Sequence, residues 1–340
     1  MDTQKTALVR TAVLLPFGAI AAKAEEGAGA MKWRTIYALM VLSLTLLSLD
    51  ACGSEQLKLI VQSLGSSDQL PATLIKPDGA GPFPAVVIVH DCSGLGFRSS
   101  GAPLRWAQEL VPQGYVVLIP DSFTPRGFPN GVCTVPANQS SAVGGRVRAR
   151  DAYGALAALR QLPYVDGKRV GIMGGSHGGM TTLAAMATPA KESDPLVDAK
   201  RNGFVAGIAF YPNCGLQYSE WRTVRQGKDF GPVVSHSGVY KPIGPVLILI
   251  GEKDDWTPAE DCRQMAEVSR KEGYPVDITV YPGAYHSFDS TAPVRFDPNR
   301  TVISSPTGKG ATTGGNPAAW ADSKKQVVSF FAKHLKGEQQ

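Results

Sequence analysis

Five apolar runs, each followed by a helical pattern or a loop, constrain this chain more than any other feature. "FPAVVIVH", "YVVLIPD", "RVGIMGG", "FVAGIAFYP" and "GPVLILIG" are continuous rather than alternating, as expected of strands buried on both faces. Between or after them lie helical patterns around Leu104–Val111, in "RVRARDAYGALAALRQL", in "MTTLAAMA" from about Gly178, and in "PAEDCRQMAEVSRKEG". "VDITVYPG" adds a strand, and the amphipathic "AAWADSKKQVVSFFAKHLK" closes the pattern. Strands that alternate with helices require crossover connections, hence a parallel, doubly wound α/β sheet with helices on both faces. Ahead of them, "LKLIVQSL" and "LPATLIKP" flank the turn "GSSDQ" and read as an antiparallel N-terminal pair. With 340 residues and 43% hydrophobic content, one domain can bury such a core.

In doubly wound sheets ligands sit beyond the carboxyl ends of the strands, so the loops there carry the chemistry. After "RVGIM" comes "GGSHGG". A phosphate-binding loop would need a nearby lysine, and a dinucleotide fingerprint would follow the first strand with other spacing. Gly174-Gly175-Ser176-His177-Gly178 instead fits G-x-S-x-G between strand and helix, a nucleophile elbow. Its turn is too tight for side chains two positions from the serine. An acid and then a histidine should follow, each just after a strand.

The sequence has five histidines. His90 and His177 come too early or sit beside the serine, His236 precedes the strand that should deliver the acid, and His334 falls in the C-terminal helix. His286, in "YPGAYHSFD", remains. "GEKDDW" offers Asp254 and Asp255 as the acid. Serine needs a base to take its proton, the histidine needs an orienting carboxylate, and the tetrahedral intermediate needs donors. The backbone N–H groups of His177 and Cys92 are the candidate donors. The side chains of His90 and Asp91 are read as organising their loop.

"VHDCSGLG", "PDSFTPRG", "GGSHGG", "GEKDDWTP" and "YHSFD", in this order, resemble the dienelactone hydrolase family of α/β-hydrolases from about Leu57 to Leu335. The resemblance implies the α/β-hydrolase fold for residues 53–340. Families with this fold place the acid three residues after the strand's glycine, which selects Asp254 and leaves Asp255 to cap the next helix with Thr257. Two departures stand out. Ser176 occupies the elbow position where dienelactone hydrolases proper carry cysteine. Of the two arginines that hold the substrate carboxylate in that family, Arg126 matches the first, displaced by one position, and Ser290 stands at the second. In the implied fold Cys92 and Cys133 fall in loops after adjacent strands, as do Cys214 and Cys262. The disulfides implied are Cys92–Cys133 and Cys214–Cys262, with buried free thiols as the alternative. A long loop carrying Tyr218, Trp221 and Tyr240 is expected to line the substrate pocket, and a polar loop after His286 to border it.

The N-terminal 1–52 read as a leader. "MKWRTIYALMVLSLTLLSLDAC" begins at Met31, the expected true start, with Lys32 and Arg34 ahead of fifteen uncharged residues. "LDAC" resembles a lipoprotein cleavage box with Cys52 as the acylated residue, although Asp50 departs from it. The expected location is therefore outside the cytoplasm: periplasmic, membrane-attached through an N-terminal lipid, or secreted. The net charge of +5 is dispersed, and the cluster Arg146, Arg148, Arg150 reads as a solvated helix face beside Asp151, not a nucleic-acid patch. No spacing suggests zinc, and neither metal nor cofactor is expected. The function read from these residues is serine hydrolysis of a small carboxylic ester or lactone through an acyl-enzyme. A prolyl oligopeptidase-like peptidase shares the elbow and triad and is the nearest rival. A noncatalytic exported lipoprotein or binding protein retaining the fold is the rival from another class. The sequence says nothing of oligomeric state.

Overall fold

The computed structural model describes residues 55–338, apart from 190, 192, 193 and 228–230. The leader 1–52, with Met31 and Cys52, lies outside the described residues. Strands β1 (Glu55–Gln62), β2 (Gln69–Lys76) and β3 (Phe83–Val89) come first, followed by helix α1 (Ala102–Leu110) and β4 (Val116–Pro120). Next are α2 (Gly145–Leu159), β5 (Val165–Gly175), α3 (His177–Met186), the short α4 (Val197–Arg201) and β6 (Gly207–Phe210). The chain continues through β7 (Arg222–Arg225), β8 (Val233–Ser237), β9 (Val246–Gly251), α5 (Ala259–Lys271) and β10 (Val276–Tyr281). It ends with β11 (Arg295–Thr301), β12 (Lys309–Thr313) and α6 (Pro317–Phe331).

Eight strands form one sheet in the order β1-β2-β4-β3-β5-β6-β9-β10. From β4 to β10 all neighbours are parallel, while β2 pairs antiparallel with both β1 and β4. The central strands are those with continuous apolar runs: every residue of β4 and β9 is buried, as are the last six of β3. Each fully buried Val, Leu or Ile there contributes roughly 1.5–3 kcal/mol. Edge strand β10 is buried only at its two ends. The path from β3 to β4 runs one way along the sheet, and that from β4 over β3 to β5 runs the other. Right-handed crossovers therefore place α1 and α2 on opposite faces. Helix α6 packs beside α1, with the Trp106 and Trp320 rings 4.7 Å apart.

Helix ends follow the charges in the sequence. Helix α5 carries Glu260 and Asp261 in its first turn and Arg270 and Lys271 in its last, complementing the macrodipole. Helix α6 starts at Asn316, whose side chain accepts from the Ala319 N–H at 3.0 Å, with Pro317 next. Two segments read as loops contain antiparallel hairpins instead, β7–β8 and β11–β12. The period-two signal of β11 is hidden by Pro298, which falls within the register shift between Asp297 and Thr301.

Candidate active site

The elbow forms at the end of β5. Ser176 adopts φ 55° and ψ −114°, a conformation that non-glycine residues rarely take, and heads α3. A Cβ on Gly178 would lie 2.1 Å from the Val89 carbonyl oxygen, and one on Gly174 would lie 2.5 Å from the same atom. Only glycine fits at either position, because β3 runs directly alongside. Ser176 N–H donates to the Phe210 carbonyl at 2.9 Å, tying the turn to β6.

Beyond β9, Asp254 is buried and held on all sides. Its Oδ1 accepts from the N–H groups of Trp256 and Thr257 at 3.0 and 2.8 Å. Its Oδ2 accepts from His286 Nδ1 at 2.8 Å and from the Thr257 hydroxyl at 3.0 Å. Both the Asp254 and His286 side chains are fully buried. The imidazole lies between the rings of Tyr211 and Trp256, at 4.6 and 4.7 Å. The His286 carbonyl accepts from Gly314 N–H at 3.0 Å, so the polar loop after the histidine braces it from behind. With Nδ1 donating to Asp254, Nε2 is the free lone pair, and it has no hydrogen-bond partner among the described residues. Ser176 and His286 line one cavity of about 600 Å³, without a hydrogen bond between them. Such bonds are commonly long in ligand-free enzymes and tighten around substrate.

Asp255 does not cap α5 with Thr257. Its carboxylate accepts from Thr312 N–H and hydroxyl at 2.8 and 2.7 Å, fastening β12 to the acid loop. The cap-like bonds to Thr257 come from Asp254 itself.

Cys92 and His177, whose N–H groups were the candidate donors, border the space around Ser176 from the loop after β3 and from the first position of α3. Neither N–H has an acceptor among the described residues, and the first N–H groups of a helix have none within it. Both implied disulfides are formed, Cys92–Cys133 and Cys214–Cys262. His90 and Asp91 do organise their loop. His90 Nδ1 donates to the Asp91 carbonyl at 2.8 Å and Nε2 accepts from Ser122 N–H at 3.2 Å. Asp91 Oδ1 takes the N–H and hydroxyl of Ser93.

Four candidate residues lie elsewhere. Arg126 does not reach the cavity: it is buried between Asp68 and Asp151, with charge-assisted bonds of 2.8 and 2.7 Å. Tyr218, Trp221 and Tyr240 are buried packing residues whose polar tips go to the carbonyls of Asn213, Cys214 and Leu183. An aromatic-rich loop carries no directional signal in one dimension, and here it folds against the core.

The sequence reading also missed Arg148. Taken as part of a solvated face, it is fully buried and spans both halves of the site. Its guanidinium donates to the ring of His177 at 2.7 Å and to the His90 carbonyl at 2.7 Å, and it lies 4.8 Å over the Phe123 ring. Burial, and then this cation, push His177 down to about 3. The same two causes hold His90 well below the ordinary histidine value. Both imidazoles are therefore neutral hydrogen-bonding struts at ordinary pH. The clue was one of spacing: Arg148 sits on the helix face of Ala152 and Ala155, both buried.

The dienelactone hydrolase family profile matches residues 70–335. The chain belongs to this family. A Methylorubrum extorquens protein, named "Putative carboxymethylenebutenolidase", is 26% identical over 223 residues, covering 64% of this chain and 68% of that protein. The dienelactone hydrolase of Anabaena variabilis has the same fold, with a TM-score of 0.54 at 17% identity over 83% of this chain and 99% of that one. The Bacillus subtilis "Uncharacterized peptidase YuxL" is 25% identical over 140 residues, which are 39% of this chain but only 21% of that protein. Membership in the dienelactone hydrolase family makes this protein a hydrolase.

Proposed function

We propose that this hydrolase cleaves a carboxylic ester or lactone through an acyl-enzyme on Ser176, with His286 as proton carrier and Asp254 as its orienting carboxylate. The observation that carries this reading is the fully buried 2.8 Å bond from His286 Nδ1 to Asp254, with His286 lining the same cavity as the strained Ser176. His286 Nε2 takes the Ser176 proton as Oγ bonds to the substrate carbonyl carbon. The oxyanion is met by the N–H groups of Cys92 and His177, each such donor lowering the barrier by roughly 2.7–4 kcal/mol. When the carbon–oxygen bond to the alcohol breaks, Nε2 returns the proton to the leaving alkoxide. Water, deprotonated by the same nitrogen, then attacks the acyl carbon; the bond to Ser176 Oγ breaks as Nε2 hands the proton back to Oγ, and the carboxylic acid leaves. Arg148 positions both donor loops, through the His177 ring on one side and the His90 carbonyl on the other.

The test is turnover of short p-nitrophenyl esters by the wild type and Ser176→Ala. Loss of at least a thousandfold in the variant is expected; undiminished turnover refutes the assignment. The match to a stretch of the B. subtilis peptidase supports peptide hydrolysis as a second reading. Parallel assays on a p-nitroanilide peptide separate the two, and ester turnover without anilide turnover is expected. We further place the domain outside the cytoplasm, a reading supported by two disulfides in one domain.

A further inference from the structure

The same serine borders a second, smaller chamber. It holds about 220 Å³, and its wall is mainly apolar, with Val132, Val135, Met180, Leu216 and Trp256, although Ser140, Ser141 and Asn213 also line it. The larger cavity of about 600 Å³ presents polar groups instead, among them Ser99, Ser100, Asn130, Thr291 and Arg98. Ser176, Cys92, Cys133 and Trp256 border both spaces, so the reacting carbonyl carbon falls at their junction. His177 borders only the chamber, and His286 borders only the larger cleft.

That asymmetry decides which half of a substrate goes where. The imidazole that protonates the leaving alkoxide must reach its oxygen within about 2.6–3.2 Å. The alcohol half therefore lies on the His286 side, in the polar cleft. The other substituent of the carbonyl carbon is left with the apolar chamber. We propose, resting on the serine-hydrolase reading, that the preferred substrates are esters joining a compact apolar acid to a larger, polar alcohol. At ~30 Å³ per water-sized unit, a methylene being of similar size, the chamber admits roughly seven such units. Acyl groups of about four to six carbons lie within it, and longer chains extend beyond its walls. The hydroxyls and amide of the cleft, with the guanidinium groups of Arg98, Arg105, Arg295 and Arg300, offer hydrogen bonds to a hydroxylated alcohol. The cleft's three carboxylates are already engaged: Asp91 by Ser93 and Ser100, Asp289 by Tyr211 and Trp106, and Asp297 by Arg300 and the Asn299 N–H.

Two isomeric esters test the orientation with the native enzyme. Glyceryl monobutanoate joins an apolar acid to a polar alcohol, and butyl glycerate reverses the halves. The expected result is a kcat/KM at least tenfold higher for glyceryl monobutanoate; equal or reversed preference overturns the proposal. For size, p-nitrophenyl esters from acetyl to dodecanoyl are compared in the wild type, Leu216→Trp and Met180→Trp. One methylene in an apolar pocket is worth about 10–200-fold, so a filled chamber is expected to cut the hexanoyl-to-acetyl ratio of kcat/KM at least tenfold. An unmoved ratio in soluble, folded variants overturns the chamber assignment while leaving the Ser176 chemistry standing. A native enzyme inert towards every ester refutes the serine-hydrolase reading, and this one with it.

Discussion

Removing the two disulfides one at a time separates stability from catalysis. Cys92–Cys133 spans 41 residues and Cys214–Cys262 spans 48. In the chain-entropy relation these loop lengths give nearly the same stabilisation, about 4 kcal/mol each. For a domain of this size, at roughly 2–3 °C per kcal/mol, either double Cys→Ala variant should melt about 8–12 °C lower. Their effects on turnover should differ. Cys92 carries a candidate oxyanion donor, its carbonyl accepts from Val132 N–H at 2.6 Å, and Cys133 accepts from Thr301 N–H at 3.1 Å. The first bridge thus clamps the donor loop to the wall of the cleft. Cys214 and Cys262 border neither space at Ser176. Losing a donor entirely costs about 10²–10³ in kcat, so a loosened one should cost about tenfold or more in Cys92→Ala/Cys133→Ala. Cys214→Ala/Cys262→Ala should keep kcat within about twofold at a temperature where it is folded. Differential scanning fluorimetry and p-nitrophenyl acetate kinetics read both quantities. Four free thiols in the denatured, unreduced domain, or equal kcat losses in the two variants, would refute the reasoning.

Other outcomes follow from individual residues. Asp254→Asn should lower kcat by roughly 10³–10⁴ with little change in KM, because the carboxylate fixes the imidazole tautomer; steady-state kinetics check it. Arg148→Met removes the strut between the donor loops and should lower kcat about 10²-fold with KM nearly unchanged, whereas a purely structural role would move melting temperature alone. The buried His177, held down to about 3, excludes a proton that the unfolded chain accepts near 6.5. Its contribution to stability is therefore complete above about pH 6.5 and fades as pH falls towards 3, by up to ~1.4 kcal/mol per pH unit. Urea unfolding of the wild type and His177→Gln between pH 7 and 4 should show a shallower acid slope in the variant.

What the sequence disclosed here was whatever local chemistry imposes. The buried strands announce themselves by continuous β-branched runs, and Gly174 and Gly178 are fixed by the approach of Val89. The order of Ser176, Asp254 and His286 follows from strands that all deliver their loops to one edge of the sheet. The pocket walls were not legible in this way. Tyr218, Trp221 and Tyr240 have the composition of a binding loop, yet they bury their rings against the core, and only the three-dimensional path of β7 and β8 decides that. Arg126 stands near a family position but finds two aspartates, Asp68 and Asp151, brought together by folding from 83 residues apart. Arg148 looked solvated because its helix carries three arginines close together. Burial of that cation pays off only through partners on other elements, the His177 ring and the His90 carbonyl.

The most direct test of proton transfer between residues 286 and 176 is intact-protein mass spectrometry after treatment with a fluorophosphonate. One adduct per wild-type chain, mapped to Ser176, is predicted, with no adduct in Ser176→Ala and labelling slowed at least a hundredfold in His286→Ala. Labelling at another residue, or at an undiminished rate without the imidazole, would contradict the account.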